Sequence, residues 1–140
     1  MNAHSGFVDH YLDEFRAGKC DDAFHCLIEA DSAIVSDLIN AYEDTKDIDT
    51  KVFLIEVVSE FRLNSSLDFL RHALRREEPP IWKSALNGMA MAETSEAVDA
   101  MDHVLSSIRD STKIEWIEKA IADTNAAISR KQNKPQHPTA

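Results

Sequence analysis

The stretch "EEPPIWKSALNGMA", residues 77–90, decides the fold because it places a helix stop and a helix start side by side. Pro79 and Pro80 cannot continue a preceding helix, whereas the fixed φ of Pro80 suits a first helical turn. Apolar residues then recur at the spacing of one helix face, at Ile81, Ala85, Leu86 and Met89. The stretch therefore predicts a tight corner followed by an amphipathic helix.

The segment before this corner has the same amphipathic character. In "NSSLDFLRHALRRE", residues 64–77, one side carries Leu67, Leu70, Ala73 and Leu74. The segment ends with Arg75 and Arg76, and positive charge favours a helix C-terminus. Two helices are therefore predicted to meet at the proline corner as a hairpin.

This hairpin pattern recurs along the chain with a period near 31 residues. First-helix positions match in Val35, Leu38, Ala41 and Tyr42, then in Leu67, Leu70, Ala73 and Leu74, then in Val98, Met101, Val104 and Leu105. Second-helix positions match in Leu54, Ala85 and Ile117, and in Val58, Met89 and Ile121. A fainter first copy contains Val8, Tyr11, Leu12, Ala23 and Leu27. A two-helix period of this length predicts stacked helical hairpins.

The composition agrees with a single all-α domain. The 140 residues are 44% hydrophobic and 29% charged, and they include only three glycines, too few for a turn-rich β fold. We expect residues 1–129 to form one domain and residues 130–140 a disordered basic tail. The start of the chain lacks the features of a secretory signal and no apolar run could span a membrane, so a cytoplasmic protein is expected.

The repeats and their corners resemble the HEAT-repeat family over roughly residues 5–128. The resemblance implies an α-solenoid of about four helical hairpins in a right-handed superhelical stack, with the first hairpin as a cap and the second helices lining a concave face. This chain departs from the family at the corners, because lysine stands at Lys51, Lys83 and Lys113 where HEAT repeats often carry arginine.

The charge is unevenly distributed. The whole chain has a net charge of -10, and residues 1–60 alone contain 14 acidic and four basic side chains. A negative field repels phosphate backbones and attracts basic proteins, so a direct nucleic-acid ligand is disfavoured. Solubility alone is the alternative explanation for the acidity.

The motif "CDDAFHC", residues 20–26, gathers several metal-ligating residue types. Structural zinc sites need a second ligand pair, and the sequence supplies none. On a helix, Cys20 and Cys26 would point about 240° apart, which disfavours a disulfide. We therefore expect two free, buried thiols, no metal and no cofactor.

The sequence also lacks an enzyme signature. It contains neither a G-x-S-x-G nucleophile elbow nor a glycine-rich phosphate loop. His10, Asn40, His72 and His103 occupy equivalent repeat positions, two residues beyond core positions, and are predicted to face solvent. No carboxylate repeats beside them to form an acid–base pair, so a non-enzymatic protein is expected.

The candidate binding surface follows from the repeat offsets. Outward positions of the second helices form three rows, namely Glu29, Glu60, Met91 and Asp123, then His25, Glu56, Asn87 and Lys119, then Asp22, Phe53, Ser84 and Trp116. The predicted partner-binding residues are Asp22, Glu29, Asp47, Asp49, Glu56, Glu60, Trp82, Asn87, Trp116 and Asp123. Whether Trp82 and Trp116 belong to the core or to the interface stays open at this point.

An acidic concave face edged by aromatic residues suits a basic protein partner. The most concrete hypothesis is a bacterial immunity protein that inhibits a nuclease toxin, whose active cleft is basic because it binds phosphates. The alternative is a scaffold or assembly factor, including a HEAT-like pigment lyase or chaperone. A HEAT-like DNA glycosylase is disfavoured by the acidity. The sequence does not fix the oligomeric state.

Overall fold

A computed structural model describes residues 5–133, and within that range the chain forms helices joined by turns, with no β-strand. The all-α prediction is confirmed. The α-helices are α1 (Ser5–Arg16), α2 (Cys20–Ile28), α3 (Val35–Asp44), α4 (Ile48–Glu60), α5 (Leu67–Leu74), α6 (Pro79–Ala92), α7 (Ser95–Leu105) and α8 (Ser111–Asn133). Short 3-10 turns at Ser32–Ile34 and Asn64–Ser66 lead into α3 and α5.

Consecutive helices pack as pairs, α1 with α2, α3 with α4, α5 with α6 and α7 with α8. Contacts also join α2 to α4, α4 to α6 and α6 to α8, so that each second helix touches the next second helix along the chain. The predicted apolar positions form the core between them: Leu38, Leu54, Met89 and Met101 are completely buried. Burial of this continuous set links all four pairs.

The corners between paired helices use different chemistry. Helix α6 begins at Pro79, as the proline pair predicts, and Arg76 and Glu78 form an ion pair of 2.6 Å just before it. The Arg76 guanidinium lowers the pKa of Glu78 to about 2. At the corner before α4, the Asp47 carboxylate accepts hydrogen bonds from the backbone N–H and the hydroxyl of Thr50. Aspartate and threonine thus start α4 by capping, where proline starts α6.

Two of the three corner lysines are buried. The Nζ atom of Lys51 donates to the carbonyl oxygen of Tyr42 at 2.7 Å, and that of Lys113 donates to the carbonyl oxygen of Arg76 at 2.9 Å. Both carbonyls lie at or just past the C-terminal end of a first helix, where carbonyl groups lack helical partners. Burial lowers the pKa of both lysines. Lys83, in contrast, is exposed.

Helices α4 and α6 are in tight contact at Gly88. A Cβ atom at this position would lie 2.1 Å from the Oγ atom and 2.9 Å from the Cβ atom of Ser59. The Ser59 hydroxyl already donates to the carbonyl oxygen of Ile55 at 2.7 Å. Glycine is therefore the residue that permits this helix spacing.

Two expectations from the sequence need correction. Helix α8 extends to Asn133, so residues 130–133 of the expected disordered tail are helical, and residues 134–140 lie outside the described range. Cys20 is exposed and Cys26 is partly buried, whereas two buried thiols were expected; both are free. Cys20 is the first residue of α2, where the start of the helix faces solvent.

The prediction that four equivalent first-helix positions face solvent is confirmed. His10, Asn40, His72 and His103 are all exposed on first helices. The Nδ1 atom of His72 lies 2.8 Å from the carbonyl oxygen of Asp68 on the same helix. His103 lines a separate shallow groove of about 510 Å³ between α5 and α7.

Candidate partner-binding groove

An open groove runs across the second helices α2, α4 and α6. It has two halves, of about 520 and 560 Å³, which share Phe24, Val52, Glu56 and Pro80. The first half is completed by Phe15, Cys20, Asp21, Asp49 and Phe53, and the second by Ser59, Glu60, Lys83, Ser84, Asn87, Gly88 and Met91. We call this set the second-helix groove.

The floor of the first half is aromatic. The Phe15 ring stacks on the Phe53 ring at a centroid distance of 4.2 Å, and the edge of Phe24 meets the same ring at 6.4 Å. Phe53 is 5% exposed, so its predicted outward position is wrong. The reason is that Phe15, at the end of α1, and Phe24, on α2, both pack onto it. The groove therefore offers a preformed apolar surface with little side-chain freedom to lose on binding.

Glu56 lies where the two halves of the groove meet. Its side chain reaches solvent, yet the groove walls partly remove water from the carboxylate, and this burial raises the pKa of Glu56. Within residues 5–133 the carboxylate has no ion-pair or hydrogen-bond partner. It thus carries a desolvation cost that no neighbouring group offsets.

The second half of the groove contains the hydroxyl and amide side chains of the lining. The Ser84 Oγ atom is buried and has no hydrogen-bond partner in the described part of the chain. The Asn87 amide nitrogen lies 3.8 Å from the Met91 sulfur, a weak contact at an exposed position. Asn87, predicted as a binding residue, lines this half together with Glu60.

Most acidic residues at the groove rim have a local structural role as well. Asp21 and Asp22 occupy the first turn of α2, and Asp49 occupies the first turn of α4. Negative charge is favourable there because it faces the positive end of the helix dipole. Asp21 and Asp49 also line the groove, whereas Asp22 is exposed beside it. The carboxylates of Asp21, Asp22 and Asp49 therefore favour the helices that carry them, whereas Glu60 is the last residue of α4 and has no such role.

Three other predicted residues lie outside the groove lining. Glu29 is exposed at the C-terminal cap of α2. Asp47 is exposed, but its carboxylate is held by Thr50, whose hydrogen bonds lower the pKa of Asp47. Asp123 forms a 3.3 Å ion pair with Lys119 on α8. Of the predicted carboxylates, the structure brings Asp49, Glu56 and Glu60 together in the groove.

The two tryptophans have different environments. Trp82 is 4% exposed and belongs to the core, so it presents no surface to a partner. Trp116 is 45% exposed and meets Trp82 edge-to-face at 5.6 Å. The Nζ atom of Lys83 lies 4.5 Å from the Trp116 ring centroid. Trp116 is thus an exposed aromatic side chain whose position is fixed by Trp82 and Lys83, which suits a residue that contacts a partner.

Sequence reasoning missed the apolar lining of the groove. Phe24, Val52 and Pro80 were not among the predicted binding residues, although they contact both halves. One signal was available: Val52 lies two positions before the core residue Leu54, so an apolar side chain there points away from the core stripe. Phe15 gave no such signal, because it lies on a first helix, α1, whereas the binding surface was predicted from second-helix positions.

Two further features are absent from residues 5–133. No three His, Cys, Asp or Glu side chains there are grouped closely enough to hold a metal ion. No helix in the described range is long and apolar enough to cross a membrane. The sequence matches no protein-family model and no curated protein.

Proposed function

We propose that this chain is a non-enzymatic protein-binding module that takes a basic partner protein in its second-helix groove. We further propose that its four helix pairs form a right-handed, HEAT-like α-solenoid in which this groove lies on the concave face. Support for this arrangement comes from the contacts that join each second helix to the next.

The observation that carries the function is the composition of the groove. Its lining contains four carboxylates, Asp21, Asp49, Glu56 and Glu60, and one cation, Lys83. These charged groups share the lining with aromatic and aliphatic side chains, so the surface combines apolar area with charge, as protein interfaces do. The acidic rim would attract a basic partner and speed its association.

A nuclease toxin is the partner class that fits this groove best. Its active cleft is positively charged because it binds a phosphate backbone, and an acidic inhibitor could cover that cleft in place of the nucleic acid. The chain would then act as a cytoplasmic immunity protein. A scaffold or assembly factor that binds another basic protein would use the same surface, and the identity of the captured partner separates the two functions.

Charge reversal in the groove tests the proposal. The wild-type chain is used to capture its partner, which is identified by mass spectrometry, and the complex is then measured by surface plasmon resonance. We expect Glu56→Lys combined with Glu60→Lys to slow association strongly, because repulsion replaces attraction, and we expect the wild-type rate to fall as salt rises.

The matched control is Asp99→Lys combined with Asp102→Lys on α7. Both aspartates are exposed, and the double variant changes the net charge by the same amount on a first helix. Equal losses in the two double variants would mean that only net charge matters. No loss in the Glu56 and Glu60 variant, with its circular dichroism unchanged, would refute binding in the second-helix groove.

A further inference from the structure

We infer that the centre of the second-helix groove is an anchor site for one arginine side chain of the partner protein. The inference rests on the proposed function, because it assigns a specific contact to the proposed basic partner. It is carried by the surroundings of Glu56 and not by the acidity of the surface as a whole.

The first argument is the unpaired carboxylate of Glu56. The groove walls partly remove its water, and no cation within residues 5–133 pairs with it. Lys83 lines the same half of the groove, but its Nζ atom lies over the aromatic rings, 4.5 Å from the centroid of Trp116 and 5.6 Å from that of Trp82. A cation supplied from outside would therefore meet a carboxylate that is already partly desolvated and not yet neutralised.

The second argument is the apolar wall around that carboxylate. Phe24, Val52 and Pro80 contact both halves of the groove, as Glu56 does. Arginine has an apolar stem that can lie along aliphatic groups, and its planar guanidinium group can stack on an aromatic ring. Lysine ends in a compact, strongly hydrated ammonium group that gains less from such walls.

The third argument is the buried hydroxyl of Ser84. Ser84 lines the same half of the groove as Glu56, and its Oγ atom, which is closed off from solvent, lacks a hydrogen-bond partner in the described residues. A guanidinium group presents five N–H donors in a fixed plane, so it can donate to a carboxylate and to a second acceptor at once. Glu56 provides the carboxylate, and Ser84 would provide the second acceptor once its hydroxyl turns from its closed position toward the bound guanidinium group.

Titration of the full chain with single amino-acid derivatives tests the anchor site directly. The probes are N-acetyl-arginine amide, N-acetyl-lysine amide and N-acetyl-citrulline amide, which keep similar lengths but differ in charge and in donor geometry. Binding is followed by the amide shifts of the uniformly nitrogen-15-labelled protein. We expect the arginine probe to shift amides around Val52, Glu56 and Ser84 in a saturable way, and the citrulline probe to shift none of them.

Three variants separate a specific site from general attraction. Glu56→Gln should weaken arginine binding by about tenfold or more, which is the effect of losing a charge-assisted hydrogen bond. Ser84→Ala should weaken it by less. Glu29→Gln, which removes an exposed carboxylate outside the groove lining, should leave it unchanged. The amide spectrum of each variant also reports whether the chain is folded.

The inference would be overturned by shifts spread over all acidic surfaces, by equal affinity for citrulline, or by unchanged arginine binding in a folded Glu56→Gln variant. Failure here is distinguishable from failure of the proposed function. If charge reversal weakens the captured complex while the arginine probe does not bind, the groove binds a basic partner without this anchor. If the probe binds at Glu56 but charge reversal has no effect on the complex, the partner binds elsewhere.

Discussion

Substitution of Gly88 by alanine tests the close packing of α4 against α6. The added Cβ atom would lie 2.1 Å from the Ser59 Oγ atom and 2.9 Å from the Ser59 Cβ atom. The hydroxyl could move away by changing rotamer, at the loss of its hydrogen bond to Ile55, but the Cβ atom can move only with the backbone of α4. The helices must therefore separate by several tenths of an ångström.

The expected magnitude is a balance of two effects. Overpacking a tight contact costs about 1–3 kcal/mol. Replacing glycine by alanine inside a helix returns about 1 kcal/mol, because the unfolded chain loses freedom and the helix gains propensity. We expect Gly88→Ala to lower the free energy of unfolding by up to about 2 kcal/mol, which is the difference between these two effects.

Urea denaturation followed by circular dichroism measures this change. Gly6→Ala is the matched control, because Gly6 lies in α1 and its added Cβ atom would meet no other atom within 4 Å. That variant should be as stable as the wild type or more stable. A second control removes the atoms that the added Cβ atom would meet. In a Ser59→Gly background, Gly88→Ala should lower the free energy of unfolding by less than it does in the wild type. In a Ser59→Ala background, where the Cβ atom at position 59 remains, the loss should be intermediate.

Coupling between the two positions is the decisive quantity. A double-mutant cycle should give an interaction free energy of about 1 kcal/mol or more between positions 59 and 88. If Gly88→Ala stabilised the protein as Gly6→Ala does, and the two substitutions at 59 and 88 were additive, the spacing of α4 and α6 described above would be wrong.

Two further predictions concern the tryptophans and the groove carboxylate. Trp82→Ala should lower the free energy of unfolding by about 3–5 kcal/mol, because Trp82 is a buried aromatic residue, whereas Trp116→Ala should lower it by about 1 kcal/mol. Urea denaturation measures both changes. Similar losses in the two variants would contradict the different burial of the two side chains. Glu56→Gln should be at least as stable as the wild type at neutral pH, because burial raises the pKa of Glu56 above its ordinary value of 4.5 in the folded state. Because the pKa of Glu56 is raised in the folded state, the wild-type protein is stabilised when Glu56 is protonated and loses that stability as the pH rises. The advantage of Glu56→Gln should therefore disappear once the pH falls below 4.5, where Glu56 is protonated in both the folded and the unfolded state. A variant that is less stable than the wild type at neutral pH would reveal a stabilising partner of Glu56.

The helix pairs could be predicted from the sequence because core burial repeats with the helical period. Leu38, Leu70 and Met101 are nearly or completely buried at equivalent positions, and the proline corner begins α6 where the proline pair indicates. Capping residues such as Asp47 act within three positions along the chain, so they are also accessible to sequence reasoning.

The groove was only partly predictable, because its shape depends on contacts between distant segments. Repeat offsets placed Phe53 on the outward face, but Phe15 from α1 packs over it. The same offsets could not decide whether Trp82 was exposed, since Trp116 covers it from α8. The close contact of Gly88 with Ser59 is likewise invisible in a single sequence, because a glycine inside a helix does not reveal which residue of another helix lies against it.

The reactivity of the two buried corner lysines toward acylating reagents reports how cooperatively the chain unfolds. Lys51 bonds within the second helix pair, whereas Lys113 reaches from the fourth pair to a carbonyl of the third. Both amines are therefore shielded from acylating reagents as long as their own packing persists, while Lys83 is open to them. If the four pairs separate as one unit, Lys51 and Lys113 gain reactivity at the same denaturant concentration. If the array frays from its C-terminal end, Lys113 becomes reactive first, because its shielding needs two neighbouring pairs to stay docked.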